Sequence, residues 1–214
     1  SGKIVTRNLF RNKARMMMGL AGIIGSTALI VCSLGLTNSM STMLDKAFDE
    51  TMLYDVEIKL RTPVPLESIG DIYDLLQNAQ SIDASMAFGV YLYSSNVSVQ
   101  SPYLVVIEDH QSSLHFKRPG GDTISLPDKG ALITPRMANE LDVGIGDVIK
   151  AERLDGTTLV LEIANIVDLP VGNEIYISRT AFSKISSLPF YVRTLLVRGQ
   201  DLEVNALKDD PRIA

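Results

Sequence analysis

A chain of 214 residues with 46% apolar and 21% charged side chains can bury a globular core. Its net charge of −5 argues against nucleic acid as a partner, and its one cysteine, Cys32, excludes an intrachain disulfide. The charge is unevenly spread. Five basic residues up to Arg15, with no acidic residue before Asp45, give the first 44 residues +5 and leave −10 for the rest.

Residues 1–15 carry Lys3, Arg7, Arg11, Lys13 and Arg15 and read as a basic cytoplasmic segment. Ile4, Val5 and Leu9 fit an interfacial helix dipping into lipid, with a disordered basic leader as the plainer reading. From residue 16 to residue 44 there is no charge. About 20 apolar residues cross a bilayer core, so this run spans it with roughly two turns to spare. We place the transmembrane helix at 16–39, ending in the polar Thr37-Asn38-Ser39. A buried helix of a soluble protein rarely runs so long without a charge. A cleaved signal peptide would be shorter and would end in a small-x-small site. "LIVC" has the outline of a lipoprotein signal, but Val31 is a poor residue before a lipidated Cys32. The positive-inside rule puts the N-terminus in the cytoplasm and everything after about residue 45 outside the cell membrane.

The run is rich in small residues. Gly19, Gly22, Gly25 and Ser26 are candidates for close packing against neighbouring transmembrane helices, with Ala21/Gly25 and Gly22/Ser26 four apart. The plainer reading is that Gly and Ala are common in membrane helices. Met40, Met43, Leu44, Ala47, Phe48 and Met52 then keep helical spacing, which predicts a stalk over 40–53.

Beyond it the period changes. Tyr54, Val56, Ile58 and Leu60 alternate with charged residues as in a half-buried strand, broken by "TPVP". Leu66, Ile69, Ile72, Tyr73 and Leu76 mark an amphipathic helix. Strands follow at 82–93, briefly near 96–100, and at 103–108, a β-α-β-β opening. Residues 110–123 read as loop, with "KRPGGD" as breaker. "GALIT" is a short strand. Thr134-Pro135 starts a helix, "VGIGD" is a turn, and "VIKAERL" and "LVLEIANIV" form a hairpin around "DGTT". "EIYIS", a short helix "RTAFSKI", the strand "VRTLLVRG" and a helix start at "LEVNALKDD" complete the chain. This gives an α+β fold. Residues 54–122 and 189–214 form one α+β unit, and 123–188 an inserted β-rich subdomain.

Chemistry-bearing motifs are sparse. There is no GxxxxGK[ST] phosphate loop and no GxSxG. "GIGD" at 144–147 lacks a lysine and precedes a strand. His110 and His115, near Glu108 and Asp109, lack metal-motif spacing. "NVS" at 96–98 is a chance sequon. We assign no catalytic, cofactor-binding or metal-ligating residue. The 109–122 loop and the surface near Leu169-Pro170 are weak candidates for partner contact.

The order of "RNLFRNKAR", spanning helix, stalk, β-α-β-β unit, and then Leu141-Asp142-Val143-Gly144-Ile145-Gly146-Asp147, Asp155-Gly156 and Ile175-Tyr176-Ile177-Ser178 resembles FtsX-like and MacB-like ABC transporter permeases over almost the whole chain. The resemblance implies a MacB-like extracytoplasmic domain, a porter-like βαββ…βα unit with an inserted subdomain. It implies further membrane helices of the same permease or of a second permease copy, and a cytoplasmic ABC ATPase that binds the ATP. It also implies a substrate or an extracellular protein as partner, and that the chain is a fragment stopping before the next spanning helix, with Ser1-Gly2 partly a cloning remnant. The function expected is a non-catalytic permease subunit coupling ATP hydrolysis to export or mechanotransmission. The alternatives are a single-pass receptor or adhesion ectodomain, an FtsX-type regulator of an extracellular cell-wall hydrolase, and, more remotely, an ectoenzyme.

Overall fold

The computed structural model describes residues 13–46, 51–95, 97–110, 112–169, 174–199, 202 and 210–214. They form two compact units, 1–45 and 46–214. In the first, helix α1 (Lys13–Lys46) is continuous over 34 residues, about 50 Å at 1.5 Å per residue. The stalk expected over 40–53 lies in α1 as far as Lys46. Residues 47–50 lie outside the described residues, and at Met52 the chain is in a β-bridge to Leu114 rather than in a helix.

The second unit holds strands β1 (Val56–Pro65), β2 (Ser81–Tyr93), β3 (Ser98–Ile107), β4 (Phe116–Lys117), β5 (Thr123–Ile124), β6 (Ala131–Ile133), β7 (Val148–Arg153), β8 (Thr158–Ile166), β9 (Glu174–Ser178) and β10 (Tyr191–Arg198). Its helices are α2 (Gly70–Leu75), entered through a 3-10 turn at Leu66–Ile69, α3 (Pro135–Leu141) and α4 (Arg179–Ile185). The fold is α+β, an apolar helix followed by a β-rich domain. The large sheet runs β1-β10-β2-β3-β9-β6-β8-β7, and β7 also pairs with β2. Six strands thus close into a barrel, β2-β3-β9-β6-β8-β7, while β10 and β1 extend from the first half of β2.

Three cores follow from this. Alternate residues of the six strands, including Leu92, Leu104, Val106, Ile149, Ile163 and Ile177, fill the barrel, with Met137 and Leu141 of α3 and Phe182 of α4 packed among them. Ile69, Ile72 and Leu76 cover the β1-β10-β2 sheet at Ile58, Leu60, Leu195 and Val197. Against its other side, Leu114, Phe116 and Leu126 pack on Ile107, Tyr176 and Leu196. The Phe116 and Tyr176 rings lie 5.0 Å apart and tilted, a favoured aromatic geometry.

Several local readings meet the structure directly. Thr134 Oγ1 accepts the Met137 amide at 3.2 Å and Pro135 opens α3. In the 144–147 turn the Gly144 amide donates to Asp147 Oδ2 at 2.7 Å, and Gly146 has φ +92°. Others change. "TPVP" does not end β1, which runs on to Pro65 through a register shift between Lys59 and Val64. Such irregularity and two prolines are tolerated because β1 ends the sheet order. The strands expected near 96–100 and 103–108 are one, β3, paired with β2 on both sides of a shift at Gly89/Tyr91. Part of the expected 110–123 loop forms the β4–β5 hairpin. The helix start at 202–210 lies almost wholly outside the described residues. Strands β6 to β9, from the 123–188 stretch, share one sheet with β2 and β3, and 46–214 is a single compact unit. Strand β10 returns between β1 and β2.

Gly130, at the start of β6, has φ +77°, and a Cβ there would sit 2.6 Å from the Glu162 carbonyl and 3.0 Å from the Ala164 Cβ. Gly156 has φ +83° with open space around it. Gly156→Ala therefore costs only left-handed strain, about 1 kcal/mol, whereas Gly130→Ala adds a backbone clash and costs about 3 kcal/mol or more. Denaturant unfolding of the two variants should show that order; equal losses would contradict it.

Candidate functional site: the apolar helix and the open faces of the domain

Helix α1 carries the strongest functional feature. Within the stretch Met16–Asp45 an 18-residue window reaches a mean hydropathy of 2.0, and none of that window is buried. Leu29, Ile30, Leu34 and Leu36 are all more than 60% exposed. Apolar residues lie on every side of the helix, which fits burial in lipid or among other helices and not a surface helix. Its hydroxyls add little polarity. Ser26 Oγ and Thr27 Oγ1 donate to the Ile23 carbonyl at 3.0 and 2.8 Å, Thr37 Oγ1 to Ser33 at 3.0 Å, and Thr42 Oγ1 to Asn38 at 2.9 Å. In hydrocarbon such donors must be satisfied within the segment.

Gly19, Gly22 and Ser26 fall within roughly 60° of one another around α1, with Gly25 roughly 60° further on. A Cβ added at Gly19, Gly22 or Gly25 would meet nothing within 4 Å, so no glycine here is required by contacts in the described chain. Cys32 is exposed on the same helix.

In the domain, the expected contact loop is tied down. Asp109 accepts the Thr180 amide at 2.8 Å and its hydroxyl at 2.9 Å, which fastens the loop to the first turn of α4. Asp83 accepts the amides of Ser112 and Ser113 at 3.0 and 2.8 Å. Glu108 Oε2 accepts the Ala84 amide at 3.1 Å. The loop Asp168 amide donates to Lys117 at 2.7 Å, and Leu169 packs on the third core; Pro170 lies outside the described residues. The histidines do not converge with acids: among the described residues no group of three His, Cys, Asp or Glu could hold a metal.

Two grooves open on the domain surface. One, of 310 Å³, lies between β7, β8 and α4, with Val148, Val160, Leu161 and Ile185 as its apolar walls and Lys129 and Lys184 among its lining. The other, of 620 Å³, is bordered by Glu57, Lys59, Tyr91, Tyr103, Leu154 and Arg193. Glu57 and Lys59 form an exposed ion pair at 3.3 Å, and Tyr103 and Leu154 stand 57% and 81% exposed. Neither groove brings a nucleophile, a base and an orienting group together. Sequence reading missed both, because they arise from strands distant in the chain; the isolated Leu154 beside "DGTT" was the one visible signal.

No protein-family model matches the chain, and no curated protein matches it. Solved structures do. One is the periplasmic region of MacB from Actinobacillus actinomycetemcomitans, at 11% identity and a TM-score of 0.48, covering 71% of this chain and 78% of that one. Another is the extracellular domain of the noncanonic ABC-type transporter YknZ from Gram-positive bacteria, at 12% identity and a TM-score of 0.47, covering 71% of this chain and 88% of that one.

Tyr73, on α2, has its phenol pushed up to about 12, first by burial and then by the negative charges of Glu108 and Asp83. A raised folded value means that its stabilising contribution is complete below the unfolded value of 10 and is lost as pH rises through about 12. Between pH 10 and pH 12 the protein should lose stability progressively, and Tyr73→Phe should flatten that loss. Chemical denaturation at pH 9, 10 and 11 tests it; an unchanged slope in the variant would be the contrary result.

Proposed function

We propose that this chain is a non-catalytic part of an ABC-type permease. Helix α1 is a membrane-spanning helix and residues 46–214 are its extracytoplasmic module. Together they couple ATP hydrolysis on a cytoplasmic ATPase to export or to mechanotransmission. The observation that carries this reading is α1: a stretch of 30 residues, Met16–Asp45, long and apolar enough to cross a membrane and with none of its most apolar window buried, ahead of a folded α+β domain in a chain whose charge changes sign across the helix. A solitary anchor needs about 20 apolar residues and no close-packing surface. The basic residues before α1 support an N-terminus on the cytoplasmic side. The order of motifs shared with FtsX-like and MacB-like permeases supports the assignment to that class.

The test is to purify the full-length protein from its own membranes in mild detergent and identify what accompanies it. A stoichiometric ATPase with a phosphate loop is expected. Its absence, even after crosslinking, would favour a single-pass receptor.

The packing surface has its own test. Gly22→Leu and Gly25→Leu raise intrinsic helix propensity, so they leave α1 helical while filling the close-approach surface. Each should lower recovery of the assembled complex about tenfold without changing the unfolding of the domain. Normal assembly in both variants would show that α1 packs through another side.

A further inference from the structure

The first described residues of the domain after α1 are held in an unusual way. Met52 forms an antiparallel bridge with Leu114. The Leu53 amide donates to the Ser113 carbonyl, and the His115 amide to the Thr51 carbonyl, both at 2.8 Å. This is a clasp of one isolated antiparallel bridge flanked by two hydrogen bonds, with Thr51 itself still in a π-helical turn. Thr51 and Leu114 are buried, and Met52 and Tyr54 pack against the third core. So short a ladder is not stable alone. Its far side is fixed by Asp83, a carboxylate only 5% exposed in the middle strand of the sheet. Asp83 Oδ2 accepts both the Ser112 and the Ser113 amides, charge-assisted bonds stronger than neutral ones.

We infer that this clasp, with Asp83 as its positioning residue, is the point at which displacement of the chain following α1 is loaded onto the sheet. The inference rests on the coupling role proposed above. If the clasp opened and Met52 and Tyr54 left the third core with it, the next fixed point would be Asp55, whose carboxylate accepts the Gly199 amide at 2.8 Å and whose amide donates to Val197. Residues 51–54 would then form slack of roughly 10 Å at extended-chain spacing, and a movement smaller than that would not reach β1. With the clasp closed, the same displacement is delivered to Ser113 and through Asp83 to β2, which belongs to the barrel and to the β1-β10 sheet alike.

The experiment uses the full-length protein assembled with its ATPase, with Cys32→Ser to remove the native thiol. Met52 and Leu114 form the non-hydrogen-bonded type of antiparallel pair, whose short Cα separation suits a disulfide. Four proteins are compared: this background, Asp83→Asn, Met52→Cys/Leu114→Cys oxidised with copper–phenanthroline, and the triple variant combining both. Hydrogen exchange is followed with and without ATP plus orthovanadate, alongside ATP hydrolysis. Asp83→Asn should speed exchange of the Leu53 and His115 amides at least about tenfold. It should also abolish the nucleotide-dependent change in the barrel while hydrolysis continues. The oxidised cysteine pair should keep that change, and the triple variant should regain it.

Unchanged exchange at Leu53 and His115 in Asp83→Asn would overturn the clasp. So would a disulfide that suppresses the nucleotide response reversibly, since the clasp would then have to open. Failure of the disulfide to restore the response in the triple variant would show that Asp83 acts only on overall stability. A background protein with no nucleotide response fails the coupling reading itself, and the exchange comparison still decides separately whether Asp83 holds the clasp.

Discussion

Everything in the domain depends on β2 serving two sheets. Its 13 residues pair with β10 over Ser81–Ser85 and with β7 over Val90–Tyr93, while β3 accompanies it from Ser85 onward. The strand must bend where its partners change, and it does so where the β2–β3 register shifts between Gly89 and Tyr91. A bulge with a residue lacking Cβ allows that bend. Arg153 lies over the Phe88 ring at 4.7 Å at this corner, and Phe88 meets Phe182 of α4 at 6.1 Å. The bend is thus packed from the barrel-closing strand and from the capping helix. Without it the six strands could not close and β10 could not find its place beside β1.

What the sequence disclosed was local. Helix starts at Thr134 and the tight turns at 144–147 and 155–158 are decided by side chains bonding the backbone within three residues, as Asp155 Oδ1 does with the Thr157 amide. The alternation in β1, β8 and β10 is equally local, and so is the apolar run of α1. The barrel was not legible, because its closing pair joins Tyr91 to Glu152 and nothing in the spacing of either strand names the other. The sharing of one sheet by β6 and β9 with β3 was hidden for the same reason: β6 and β9 alternate no differently whether they pair among themselves or with β3. "TPVP" misled because proline breaks an interior strand but only irregularises one with an open side.

The functional features divide along the same line. α1 was readable as a helix long and apolar enough to cross a membrane, since length and composition decide that much, and Gly19, Gly22, Gly25 and Ser26 were readable as small. Asp83 was not. "SIDAS" looks like any alternating strand, and an acid in a central strand usually faces solvent. Its burial follows from the return of Ser112 and Ser113, whose amides would otherwise lie unsatisfied under the 110–127 segment. The tethering by Asp83, Glu108 and Asp109 makes that segment part of the core's support, whereas its sequence alone marks it as loop.

The placement of β10 also sets the order of assembly. Val56 pairs with Val197 and Leu195 with Ala84, so the strand that opens the domain cannot be seated until the strand near its end has been made. Pairings of such long separation form slowly, because chain entropy is lost before contacts compensate it. During synthesis α1 is available to the bilayer long before residues 191–198 exist. With α1 inserted as proposed, the domain completes itself while already tethered to a surface. In that interval β1 and β2 must remain apart, with the position for β10 open between them.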